Sequence, residues 1–348
     1  FKCSPTELAE IENGLDKYMD SLKVDKKLIK IESKNGTLRY SLNTPTHDQS
    51  TLDLHKRKEF GIQDEVITLP AADGKTRQVT TVSQKEILFG LFQHGRTTVF
   101  EGDNCRSEAL IENIGIRQNT SAWTEKICWG FPDGKKSEWN PKYWGDSPKP
   151  VRGTVYEAIH DAFINPDLYS MGCYSATKMV MIHGVLDYYS RIKPNPEKVK
   201  AITQELMVDD APLRDPEPGK AWDFLESTKR KGKTELARPG KILCSQKEVA
   251  PRNFVPGDWI YIQNTDSTIV DEKGKPKLGK DGKPIHIGSN DKSGYEGSNA
   301  VYMGRDRFDD YYCETAGRKK SDNFYTHRQK AGEVEGWQHG NFTYNRDS

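Results

Sequence analysis

The chain has no excess of charge of either sign: Lys and Arg total 52, Asp and Glu 51, a net charge of +1 over 348 residues. That balance gives no electrostatic footing for nucleic acid or for an anionic membrane surface. Long apolar runs are missing too. The longest, Lys178 to Tyr189, also contains His183 and Asp187, so nothing reads as a membrane span. The six cysteines (Cys3, Cys105, Cys128, Cys173, Cys244, Cys313) include no Cys-x-x-Cys step, which argues against a zinc site. The acids of residues 271–284 do not have calcium-loop spacing, and no internal repeat is present. Phe1 stands where an initiator Met would, which points to a trimmed or processed chain. The length suffices for one large or two ordinary domains.

What is there centres on Tyr169-Ser-Met-Gly-Cys173-Tyr-Ser-Ala176 and the apolar run behind it. Met179, Val180, Met181, Ile182, Val185 and Leu186 leave little polar face, so the run predicts a buried helix. Asn165-Pro166-Asp167 is a turn signal, which places the helix start near Gly172. A thiol at that point meets the first-turn N–H groups and the positive end of the helix dipole. The alternative is an inert cysteine in a core helix.

Elsewhere, Ser4-Pro5-Thr6-Glu7 reads as a capped helix start running to about residue 22, with Leu8, Ile11, Leu15, Tyr18, Met19 and Leu22 at helical spacing. Segments 27–32, 37–42 and 65–69 read as strands, the first two joined by Asn35-Gly36. Ser83 to Glu86 is a capping box, and a short helical pattern follows Asn104. Trp123–Trp129, Pro132-Asp133-Gly134 and Lys136–Trp139 together predict a β-hairpin, and Thr154 to Phe163 a helix. A further helix spans about 196–207, and strands are expected at 252–263, 299–303 and 310–314. The Lys229-Arg-Lys-Gly-Lys run reads as a solvated face. Cys105 and Cys128, close in sequence and each beside a probable turn or strand, are expected to pair.

Three blocks then resemble the bacterial spore-coat transglutaminases, which are protein-glutamine γ-glutamyltransferases on a papain-like, NlpC/P60-type core. They are Ala158-Ile-His-Asp-Ala-Phe163 leading to Tyr169–Ala176, Val255–Asn264 followed by Glu296–Gly304, and the Trp129 to Trp139 segment. The resemblance covers roughly residues 85–335. It implies an α+β fold in which residues 1–80 are an extension and 81–348 the transglutaminase domain. It implies protein substrates bearing glutamine and lysine, and no cofactor or metal. Gly172 and Ser298 stand where the family has glutamates, and Tyr311 falls where it has a histidine.

Such chemistry needs a thiolate, a base within about 2.6–3.2 Å of the sulfur, and donors for the developing oxyanion. Cys173 is the expected nucleophile. Glu296 is the first candidate for the base and His286 the second, with Asp309, Asp310, Tyr311 and Tyr312 as orienting groups. His183 lies about 15 Å down the same helix and cannot reach, and His160, on the preceding helix, reads as structural or surface. Trp129, Trp139, Tyr143, Trp144, Tyr169 and Trp259 either wall a slot for a glutamine side chain or pack a core. A peptidase, amidase or deamidase on the same fold, or a binding module without catalysis, are the competing readings. The compartment stays open, secreted and cell-surface settings included.

Overall fold

The computed structural model describes residues 2–43, 54–92, 97–132, 137–144, 152–206, 243–246, 255–263, 271–285, 297–304, 307–309, 311–312, 334–339 and 344–345. Ser4 caps helix α1 (Pro5–Ser21): its hydroxyl accepts from the Glu7 N–H while the Glu7 carboxylate accepts from the Ser4 N–H. Strands β1 (Ile29–Lys34) and β2 (Thr37–Leu42) pair antiparallel about Asn35-Gly36, both at positive φ, as a two-residue primed turn requires. Helix α2 (Leu54–Glu59) precedes a second hairpin, β3 (Glu65–Pro70) with β4 (Thr76–Thr81). Helix α3 (Gln84–Phe92) and β5 (Thr97–Phe100) follow. β5 joins β2, so the first sheet runs β1-β2-β5-β11, where β11 is Tyr344–Asn345.

Helix α4 (Ser107–Lys126) is far longer than the sequence pattern suggested, and it contains Trp123. The expected hairpin over 123–139 does not form. Trp129 bridges Tyr312, while Gly130 and Glu138 both bridge Ser170. The two arms grip the segment before Cys173 instead of each other. α4 escaped notice because it is buried on nearly every side, so its polar residues do not trace a solvent stripe. Arg117 donates to Asn113, to the Pro256 carbonyl and to Asp258, and Gln118 donates to Glu65 and the Val82 carbonyl.

Beyond α4 come α5 (Val155–Ile164), capped by Thr154 and Glu157, and α6 (Cys173–Asp187) with Gly172 at its N-cap. A π-helical turn (Tyr188–Ile192) and α7 (Pro196–Leu206) complete the helices. α4 and α6 approach closely at Gly184, where an added Cβ would lie 2.1 Å from the Thr120 hydroxyl. The second sheet is antiparallel in the order β6-β10-β7-β8-β9, where β6 is Leu243–Gln246, β7 Trp259–Gln263, β8 Gly297–Gly304, β9 Arg307–Asp309 and β10 Val334–His339. The strand expected at 310–314 is not among the described elements. β9 ends at Asp309, Tyr312 makes its isolated bridge, and 310, 313 and 314 lie outside the described residues.

Helices and antiparallel strands thus segregate into an α+β fold with two apolar cores. One is built by α1, β2, α3 and the first half of α4, the other by the second half of α4, α5, α6 and the β7–β8 face. Cys3 is bonded to Cys105, which ties the start of α1 to the approach to α4. The expected Cys105–Cys128 pair is therefore wrong. The reason is geometric: the two residues flank a 20-residue helix, about 30 Å end to end. Cys128 is disulfide-bonded as well, whereas Cys173 is free.

Candidate active site

Cys173 sits where the sequence placed it, at the first position of α6 and half-buried. The segment entering it is held on both edges. Gly130 donates to the Tyr169 carbonyl and accepts from the Met171 N–H, while Ser170 and Glu138 exchange both backbone bonds. Tyr169 is anchored from below by its hydroxyl on Asp161, which also accepts from Asn140 and Asn165. Burial first, and then the Asp161 carboxylate, push the Tyr169 hydroxyl far above its ordinary pKa, so it stays a donor. An added Cβ at Gly172 would meet no described atom within 4 Å, so the side of the chain just before the sulfur is open.

Two tyrosines fix the backbone around the thiol. The Tyr312 hydroxyl donates to the Met171 carbonyl at 2.8 Å. Tyr311, fully buried, shares a 2.6 Å hydrogen bond with the Thr177 hydroxyl, which itself donates to the Cys173 carbonyl at 2.8 Å. Both therefore act on the main chain around Cys173.

Among the described residues, a side chain that the sequence did not point to reaches the sulfur. Asn299 Nδ2 lies 3.4 Å from Cys173 Sγ. Strand register explains how it gets there. Tyr261 is opposite Asn299 and Trp259 is opposite Val301, so Trp259, Asn299 and Val301 share one face of the sheet, and α6 packs against β8. Alternation within 297–304 was the available signal, but only the β7 register tells which parity meets the helix. Asp309 is opposite Val301 and buried. Glu296, His286 and Asp310 lie outside the described residues.

Of the aromatic residues weighed as slot walls, Trp129, Trp144, Tyr169 and Trp259 are buried in the core, and Trp139 and Tyr143 pack against it. Phe131 and Leu168 are instead the large apolar side chains left exposed near this segment, Phe131 edge-on against Tyr312.

A second polar cluster occupies the far end of α6. His160 Nδ1 and His183 Nε2 are 2.8 Å apart, and Asp187 accepts from Asn119, Trp123, Tyr156 and Arg191. His183 Nδ1 has no partner among the described residues. A bare lone pair there costs less than a buried orphan N–H, so the shared proton belongs on His183 Nε2, which donates to His160. Burial lowers the pKa of both imidazoles, His183 strongly. Burial alone would raise the Asp187 carboxyl, but the Arg191 guanidinium and the Tyr156 hydroxyl outweigh it and hold it well below the usual range. His160, His183 and Asp187 are close enough to contact one cation. However, the Asp187 oxygens are taken by donors, one of them a guanidinium, and Lys126 lies over the neighbouring Trp123 ring. Apart from His183 Nδ1, the polar atoms of the cluster are hydrogen-bonded within the protein core.

No protein-family model and no curated protein matches the chain. Among solved structures it is similar to the transglutaminase from Geobacillus stearothermophilus (without C-terminal extension), at 17% identity and a TM-score of 0.36, covering 68% of this chain and 94% of that one. A likeness at that level carries no functional argument, which rests on the residues of the site. No helix among the described residues is long and apolar enough to cross a membrane.

Proposed function

We propose that the protein is a thiol acyltransferase of the transglutaminase kind, acting on protein glutamine through Cys173 on a papain-like, NlpC/P60-type core. The observation that carries this is a free, half-exposed cysteine at the start of a buried helix, with a side-chain amide donor on its sulfur. The first-turn N–H groups of α6 and the Asn299 amide place hydrogen-bond donors around the sulfur. The sulfur attacks the side-chain carboxamide carbon of a glutamine. The C–N bond breaks, and nitrogen leaves as ammonia with the proton the thiol gave up. The thioester then passes to a lysine amine, giving an isopeptide, or to water, giving glutamate. Glu296 is our candidate for the base that accepts the incoming amine's proton, with His286 second. The N–H of Cys173 is the natural oxyanion donor. No step calls for a cofactor. The bonded cysteines fit folding in an oxidising compartment, as for a secreted or cell-surface protein.

The test is incorporation of a fluorescent primary amine into a glutamine-bearing protein. Wild type is expected to label it and Cys173→Ala is not, with the melting temperature kept. Labelling by Cys173→Ala, or peptide cleavage in place of labelling by wild type, would overturn the reading. Ammonia release without amine uptake would reassign the chain as a deamidase.

A further inference from the structure

Trp259 is fully buried on β7, diagonal to Asn299 on the same face of the sheet. Its indole Nε1 lies 2.9 Å from Asn299 Oδ1. An indole nitrogen can only donate, so the atom facing it must be the carboxamide oxygen. That settles which end of the amide points the other way: the NH2 group faces Cys173 Sγ, at 3.4 Å. Without the indole, an asparagine amide has two nearly isosteric orientations, and the flipped one would aim a carbonyl oxygen at the sulfur. An oxygen there repels a thiolate, whereas an N–H binds it in a charge-assisted hydrogen bond.

We propose that Trp259 is the positioning residue of this site, holding the Asn299 amide so that the Cys173 sulfur always faces a donor. The proposal rests on the reading of Cys173 as the nucleophile. Trp259 touches neither the sulfur nor a substrate in this role. It acts through Asn299, and its contribution is to the orientation of the amide on the sulfur, not to the shape of the cleft. The Arg117 guanidinium supports the same strand from behind: it donates to Pro256 and Asp258, at the turn where Gly257 adopts a positive φ of 90° and β7 begins.

The measurement is the rate of Cys173 alkylation by iodoacetamide as a function of pH, in wild type, Trp259→Phe, Asn299→Ala and the double variant. Because Phe leaves a small gap, a fifth protein carries the shape-matched benzothienylalanine, a tryptophan analogue without the N–H, at position 259. Loss of one charge-assisted hydrogen bond should slow alkylation at neutral pH by about tenfold. The deficit should vanish in strong alkali, where every thiol is ionised, which separates ionisation from access. Because Trp259 works through Asn299, adding Trp259→Phe to Asn299→Ala should cost nothing further. Wild-type alkylation rates in Trp259→Phe and in the analogue, or losses that multiply in the double variant, would overturn the positioning role alone. A wild type whose Cys173 reacts no faster than the denatured chain's and which transfers no amine would remove the nucleophile reading, and this proposal with it.

Discussion

At its N-terminus α6 presents a half-exposed sulfur with the Asn299 amide beside it. About three to four turns further on, the same helix buries His183 and Asp187 among Asn119, Trp123, Tyr156, His160 and Arg191. Both ends hold polar groups that are costly to bury, yet they resolve the cost differently. The far end is closed: every Asp187 oxygen has a donor, and the imidazoles are neutral and hydrogen-bonded to each other. At the near end the space beside Gly172 holds no described atom within 4 Å of an added Cβ, and the half-buried sulfur has the Asn299 amide as a donor. A group that is fully satisfied contributes to stability, and one that is partly satisfied and accessible is available for chemistry. The comparison therefore predicts a double dissociation. Cys173→Ala should abolish amine transfer and leave the melting temperature in place, because it trims a small, half-exposed side chain. Transfer that survives, or a clear drop in melting temperature, would break the contrast at its open end.

At the closed end the expected effect is on stability. Asp187→Ala leaves the Arg191 guanidinium, the Trp123 N–H and the Asn119 amide without their acceptor, and should cost about 3–5 kcal/mol in chemical denaturation. Alkylation of Cys173 in whatever fraction stays folded should be unchanged. A stable Asp187→Ala protein would mean that the cluster is not the closed network described.

The disulfide supplies a control remote from both ends. Cys3 and Cys105 enclose a sequence separation of 102, and replacing Cys3 with Ser should cost about 2–5 kcal/mol. Amine transfer below the melting point should be unaffected. A loss of transfer in the folded variant would show that the first core communicates with the sulfur, and would blur the contrast.

What the sequence disclosed was local. Ser4 with Glu7, Thr154 with Glu157 and the Gly172 step mark helix starts, because a cap is a short-range contest between side chain and backbone donors. Asn35-Gly36 marks a hairpin for the same reason. The α4 helix was only half legible, since some of its buried polar side chains, Gln118 and Arg117 among them, have partners 34 to 141 residues away. The aromatic and glycine spacing of 123–139 imitated a hairpin. Cys173 could be placed at a helix start, and so made a candidate nucleophile, from its position before an apolar run. Asn299 could not, because its role depends on the register of β7 on β8, which no local pattern encodes. The cysteine pairing failed likewise: nearness in sequence says nothing once a straight 20-residue helix intervenes.

The smallest expected effect is a pH dependence confined to the closed end. Burial lowers the pKa of His160 and His183, so as the pH falls below the ordinary imidazole value of about 6.5 the unfolded chain takes up protons that the folded one refuses. Stability from the pair is full and flat above that value and declines as acidification proceeds towards the lower folded values. The Asp187 carboxyl, also lowered, behaves differently: its contribution persists until the pH drops below the usual carboxylate range near about 4. The interval between belongs to the histidines. The groups facing them are Asp187, Arg191, Lys126, Asp161 and Tyr156, and none of these offers an acceptor to His183 Nδ1. Protonating the pair would force an N–H into the hydrocarbon beside Phe163, whose ring stacks on His183 at 3.7 Å. Melting temperature measured from neutral pH down to about 5 should therefore fall in wild type. It should fall less steeply in the double variant His160→Phe, His183→Phe, which keeps the ring stack and removes the protons. Equal slopes would show that the imidazole pair charges in place, and that the far end of α6 is as open to protons as the near end is to substrate.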